Sequence, residues 1–207
     1  MRGGNLCPIA PGAGFARYTE RIVLLAGEGG RRVVPKPRKA VPMEDFEFVS
    51  PTHFVFGHNA ESKVGPMLAE RGAHKVLLHY GGQSALKSGL IDRVCASLEQ
   101  AGIEYVKLGG VRPNPEIELV REGVALCKKE GVDWVLAVGG GSVIDSAKAI
   151  ANGACIEEDV WELFTTKRPN ANVLPIAVVL TIPAAGSEAS KNTVISNDAF
   201  GMKTGYG

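Results

Sequence analysis

The chain has 207 residues, of which 45% are apolar and 22% charged, and its net charge is only +1. That is the balance of an ordinary globular protein with room for one good domain, or one and a half. It gives no nucleic-acid or membrane signal: there is no overall basic excess, and no apolar run approaches the length of a bilayer span. The four cysteines, Cys7, Cys95, Cys127 and Cys155, are widely spaced with no C-x-x-C, which excludes a disulfide scaffold or a zinc finger. Cys95 and Cys127 fall on apolar helical faces as reduced thiols, which fits a cytoplasmic protein.

The near-neutral total hides two different textures. Residues 1–42 carry eight Lys/Arg against Glu20 and Glu28, and 12 of these 42 residues are Gly or Pro. Such a composition resists packing into a core. The segment is too broken for a secretory signal and, having no serine, unlike a transit peptide. It is expected to be a disordered or non-native extension, with the fold occupying residues 43–207 and beginning at Met43.

From there the elements follow in order. Phe46 to Gly57 alternates apolar and polar residues around Ser50-Pro51, which predicts two short strands. A helix capped by Asn59 is expected to run to about Glu70, with Pro66 weakening it. Lys75 to Tyr80 is a buried strand ending in Gly81-Gly82-Gln83-Ser84, read as a turn. A helix from about Ser88 to Gln100 has Ile91, Val94, Cys95 and Leu98 at helical spacing. Glu104 to Leu108 is a strand ending in Gly-Gly-Val-Arg-Pro-Asn-Pro, and a helix from Glu116 to Glu130 follows. After the stretch Trp134 to Ala151 come a short acidic-led helix, Glu157 to Phe164, and a buried strand, Pro175 to Thr181. Thr193 to Tyr206 reads as a hairpin.

The stretch Trp134 to Ala151, WVLAVGGGSVIDSAKAIA, organises the rest. An apolar strand runs into Gly139, Gly140 and Gly141, then Ser142, then a helix. This is the way a chain presents bare backbone N–H groups and a helix N-terminus to an anion. Without a Cβ the glycines are free to take left-handed angles and to approach a phosphate closely. Ser142 is a cap or an anion ligand, and Asp145 suits the dipole of the first turn. The spacing is neither G-x-G-x-x-G nor a Walker loop, and Lys148 reads as a solvated helix lysine.

Strands alternating with helices of this length predict an α/β fold with a Rossmann-like parallel sheet. Four Gly- or Pro-rich loops lie at the carboxyl ends of its strands, where such sheets bind ligands.

The segments HYGGQS, PNP, AVGGGSVIDSAKAIA and TIPAAGSE, in this order, resemble the iron-containing (group III) alcohol dehydrogenases, closest to their butanol-dehydrogenase-like branch. The likeness covers residues 43–207. It implies the N-terminal nucleotide domain of the dehydroquinate synthase-like fold, with the C-terminal helical domain that holds a divalent metal, iron or zinc, absent. By position, Gly139 to Ser142 would wrap a pyrophosphate and Asp145 would brace that loop. Thr181, Ala184 and Ser187 match adenine- and ribose-side contacts, and Asn114 and Lys203 match positions that touch the cofactor. The sequence departs from the family at Ala185, where a Thr is usual, and at Ser190, where many relatives have Asn.

Cofactor choice has a physical argument. NAD-preferring relatives place an Asp after the strand equivalent to Lys75–Tyr80, where it would repel a 2′-phosphate. Here Gly81, Gly82 and Ser84 stand there without a carboxylate, so NADP(H) is expected over NAD(H). The resemblance implies a small alcohol or aldehyde as substrate of the full-length enzyme and is compatible with a homodimer. The family's metal ligands, an Asp, a His four residues on and two further His, are not in the chain. The histidines present, His53, His58, His74 and His79, form no i,i+4 pair and read as structural or surface groups. The polypeptide alone is therefore expected to bind cofactor without turnover. The competing reading is a non-catalytic nucleotide-binding module or remnant, and dehydroquinate synthase-like chemistry is disfavoured by the GGQS and PAAGSE loops.

Overall fold

The computed structural model describes residues 51–207 and, in the segment before them, the strand Arg21–Leu25. Six strands form one parallel sheet: β1 (Arg21–Leu25), β2 (His53–Phe56), β3 (Lys75–Tyr80), β4 (Glu104–Leu108), β5 (Trp134–Gly139) and β6 (Ile176–Leu180), in the spatial order β2-β1-β6-β5-β3-β4. The core strands read as unbroken apolar runs because helices cover both faces. All six residues of β5 and all five of β6 are buried.

Alternate residues of each central strand face opposite layers. Leu77, Val135, Ala137, Val178 and Leu180 pack against α4 (Ile117–Glu130), α5 (Gly141–Gly153) and α6 (Trp161–Thr166). Val76, Leu78, Leu136, Val138, Ala177 and Val179 pack against α1 (Val64–Glu70) and α3 (Leu90–Gln100). An antiparallel hairpin, β7 (Thr193–Asn197) and β8 (Met202–Tyr206), lies outside the sheet. The Ser196 N–H donates to Pro115 O at 2.8 Å, which docks the hairpin on the loop before α4.

Among the described residues the expected strands and long helices are present, with four local differences. Gln83–Lys87 forms a short helix, α2, where the sequence suggested a turn. Asn59 does not cap with its side chain; it takes a left-handed conformation (φ 54°) before a 3₁₀ turn, Ala60–Lys63, and its carbonyl accepts from Ser62. Because α1 starts only at Val64, Pro66 falls in its first turn, where the missing N–H has no intrahelical partner to lose. Helix α6 starts at Trp161, whose N–H is taken by Asp159 Oδ1 at 3.0 Å, and not at Glu157.

The fifth difference concerns the segment 1–42. Five of its residues, β1, are inserted between β2 and β6, pairing Ile22–Leu25 with His53–Phe56 and Arg21–Leu25 with Ile176–Leu180. At these residues the expectation of an unstructured extension does not hold. The strand expected around Phe46 lies outside the described residues, as does Cys7. Cys95 and Cys127 are buried free thiols as expected, and burial pushes the Cys127 thiol up to about 12.

Candidate functional site

The sheet order sets the location. The chain leaves β3 for β4 on one side and returns to place β5 on the other. The crevice between the carboxyl ends of β3 and β5 is therefore the topological switch point, the place where an open α/β sheet accepts a ligand. Gly81–Gly82 ends β3 there, and Gly139–Gly141 ends β5. Both turns rest on Val143: a Cβ on Gly81 would lie 3.4 Å from its Cγ2, and one on Gly139 only 2.5 Å away. Gly139 is thus required for close packing.

Gly140 and Gly141 are different. A Cβ at either would meet nothing nearer than 3.9 Å, from Ile182 and Ala185 respectively. None of the three glycines has a positive φ, and Gly140 is extended (φ −94°, ψ −167°). The left-handed freedom expected of this turn is not used. What Gly140 and Gly141 contribute is a bare cleft between the turn and the 181–186 loop, floored by main chain. The helical hydrogen bonds of α5 begin with Val143 and Ile144 donating to Gly140 O. The amides of Gly141 and Ser142 precede them, and with the helix dipole they favour an anion. Ser142 is partly exposed, and its hydroxyl makes no hydrogen bond among the described residues.

The other candidate residues fall into two groups around this cleft. Thr181 is fixed through its main chain, its N–H donating to Gly139 O at 3.1 Å. Ala184 is exposed beside it. Ser187 is 8% exposed, and its hydroxyl is committed inward, donating to Asp145 Oδ1 at 2.6 Å. Asp145 braces this loop and β7, where its Oδ2 accepts from Val194 N–H at 3.2 Å, and its carboxylate makes no hydrogen bond to the glycine turn among the described residues. Asn114 sits in a left-handed turn (φ 59°), and its Oδ1 accepts from Lys203 Nζ at 2.7 Å, both side chains being exposed. Ser84 lies in the first turn of α2 and is exposed, while Gly82 has open space around its Cα.

Lys148 is the residue sequence reasoning misplaced. It is 1% exposed, not solvated, and its ammonium donates to Ser187 O, Ser187 Oγ and Asn192 O at 2.6–2.7 Å. A signal was available: it lies within AKAIA, and α5 is apolar nearly all round, which marks a helix buried on most sides.

The model of the iron-containing alcohol dehydrogenase family matches residues 51–207. The chain belongs to that family. Similar proteins include the probable NADH-dependent butanol dehydrogenase 1 of Bacillus subtilis, 43% identical over 80% of this chain and 42% of that one. The NADPH-dependent aldehyde reductase YqhD of Escherichia coli is 35% identical over 79% of this chain and 42% of its own. Among solved structures, the NADH-dependent butanol dehydrogenase A of Thermotoga maritima superimposes with a TM-score of 0.77 at 48% identity, covering 79% of this chain and 41% of that one. The chain therefore spans about two fifths of the length of the relatives it matches, the N-terminal part of an iron-alcohol-dehydrogenase fold.

The family description implies iron, and the residues described here do not fit a metal site. No group of three or more His, Cys, Asp or Glu among the described residues is placed to hold an ion. His79, as expected, is structural. It is fully buried, with Nδ1 donating to Leu108 O at 2.9 Å, so in its neutral form Nε2 accepts from the Ser146 hydroxyl at 2.8 Å. Burial holds its pKa down at about 4. His53 and His74 bond Arg71 and Asp133 at the surface. Among the described residues no helix is long and apolar enough to cross a membrane.

Proposed function

We propose that residues 43–207, with strand β1 (Arg21–Leu25) completing their sheet, form the dinucleotide-binding domain of an NAD(P)H-linked, metal-dependent alcohol or aldehyde oxidoreductase. The observation that carries this reading is the bare Gly140–Gly141 cleft at the N-terminus of α5, set at the switch point of the sheet. A pyrophosphate there would be held by the amides of Gly141 and Ser142 and by the Ser142 hydroxyl. The 181–187 loop would line the adenine and ribose side, and Asn114 and Lys203 would reach the cofactor from the hairpin side. A bound nicotinamide supplies the hydride chemistry; this chain contributes binding and orientation.

No described cluster could hold a metal, so the 207-residue polypeptide by itself is proposed to bind cofactor without turning over an alcohol. The same observation favours the second reading, a non-catalytic nucleotide-binding module. The two part on activity. Turnover of a small alcohol or aldehyde by the 207-residue chain supplied with iron or zinc would contradict its inactivity and exclude the module reading.

NADP(H) is proposed as the preferred cofactor. Gly81 to Gly89 contains no carboxylate, and the first one after β3 is Asp92, within α3. A 2′-phosphate near Gly81–Ser84 would therefore meet no adjacent negative charge in the sequence. The Bacillus relative is named NADH-dependent and the Escherichia relative NADPH-dependent. Calorimetric titration of the chain with each reduced cofactor tests the preference. NADPH should bind more tightly, and a lower Kd for NADH would overturn the argument from the missing carboxylate.

A further inference from the structure

Lys148 and Asp145 stand one turn apart on α5, with Nζ 3.8 Å from Asp145 Oδ1. Between them they grip the chain from Ser187 to Val194. Lys148 Nζ donates to Ser187 O at 2.6 Å, to Ser187 Oγ at 2.7 Å and to Asn192 O at 2.7 Å. Asp145 accepts the Ser187 hydroxyl on Oδ1 and the Val194 N–H on Oδ2, and its carbonyl accepts the Thr193 hydroxyl at 2.7 Å. The three ammonium protons have three near acceptors, and the side chain is sealed from solvent at 1% exposure. A lysine so placed has no proton to offer a phosphate.

The gripped segment continues directly from the 181–186 loop, which forms the far wall of the glycine cleft. Ile182 and Ala185 of that loop stand 3.9 Å from where a Cβ on Gly140 or Gly141 would sit. Among the described residues few other interactions tie this loop down: Gly186 is left-handed (φ 70°), and Thr181 alone is bonded back to the sheet edge, through Gly139 O. We propose that Lys148 is a positioning residue that draws the Ser187–Asn192 segment onto α5, and so sets the width of the cleft in which the dinucleotide lies, without touching the dinucleotide. The inference rests on the cofactor reading of the site. It separates the roles of two features of one signature: the glycines make the cleft, and the Asp-x-x-Lys pair holds its opposite wall.

The test is hydrogen exchange and NADPH titration of the 207-residue chain carrying Lys148→Met, which keeps an unbranched apolar stem one heavy atom shorter and removes the charge. Amides of 186–192 should exchange about tenfold faster or more, the loss expected when hydrogen bonds to a charged group go. Exchange in the buried strand 134–138 should be unchanged. The Kd for NADPH should rise about tenfold for the same reason, while its salt dependence stays as in the unmodified chain, because no phosphate contact has been removed. If Lys148→Met does not fold, Ser187→Ala removes the hydroxyl shared by Asp145 and Lys148 and should act in the same direction, more weakly. Unchanged exchange in 186–192, or faster exchange everywhere alike, would overturn the proposal, as would a loosened loop with an unaltered Kd. If the unmodified chain binds neither NADPH nor NADH, the cofactor reading falls and with it the cleft, and exchange at 186–192 still decides whether Lys148 holds the loop.

Discussion

At the scale of single residues, burial rather than proximity in sequence decides what each polar group does. Asp145, Ser146 and Lys148 lie within one turn and a half of α5, yet each serves a different partner. Asp145 and Lys148 hold the loop and hairpin, and Ser146 donates to His79 across to β3. The His79 arrangement makes a pH prediction. Its folded pKa of about 4 lies below the ordinary value of 6.5, so between these values the unfolded chain binds the proton that the folded one refuses. Stability is then full above pH 6.5 and falls as the pH drops toward 4, by about 3 kcal/mol in all. The carboxylates held low by Lys75 and Arg121, Glu130 and Asp159, lose their contributions only from their ordinary values of 4.5 and 3.8 downward. The urea midpoint should therefore decline already between pH 6.5 and 5, and a flat midpoint across that window would contradict the neutral, buried imidazole. What the sequence concealed at this scale was direction. Four histidines without an i,i+4 pair were legible as non-ligands, whereas the inward turn of Lys148 depends on the Ser187 and Asn192 carbonyls, some forty residues away.

At the scale of elements, the strand–glycine–helix unit was legible because every local signal agrees: an apolar run, three glycines and a helix-forming stretch. The reason for the glycines was not, since it lies in neighbours from other segments. Gly139 is a packing glycine against Val143, whereas Gly140 leaves room for a ligand. The two should separate on substitution. Gly139→Ala forces a methyl group to within 2.5 Å of Val143 Cγ2, and should cost about 1–3 kcal/mol of stability, as overpacking does. Gly140→Ala fits the protein and should leave the midpoint within about 1 kcal/mol while weakening NADPH binding by about tenfold or more, because its methyl group protrudes into the cleft. Thermal melts and titrations of the two variants check this. Equal loss of stability with no selective loss of binding would contradict the division of roles. Helix α2 escaped notice because five residues after Gly-Gly are too few for periodicity to declare itself, and the late start of α1 turned an apparently disruptive Pro66 into an ordinary first-turn residue.

At the scale of the whole molecule, the alternation of strands and helices was enough to specify a parallel sheet with loops gathered at one edge. The strand order was beyond it: nothing in the local pattern says that β5 returns beside β3, and that return creates the crevice on which the functional reading depends. Strand β1 was likewise hidden, in a segment whose Gly, Pro and Arg content argues against structure while its five residues Arg21–Leu25 pair on both sides. The chain matches about two fifths of its relatives' length, and the role proposed for the described residues is cofactor binding and orientation. The most direct test is a titration of the isotopically labelled chain with NADPH, followed by amide chemical shifts. Saturable changes should be concentrated at Gly81, Gly82 and Gly139 to Ser142, with smaller ones at Thr181 to Ser187 and at Asn114 and Lys203. Saturable changes confined to other parts of the molecule, or none at all, would contradict the proposed cofactor site.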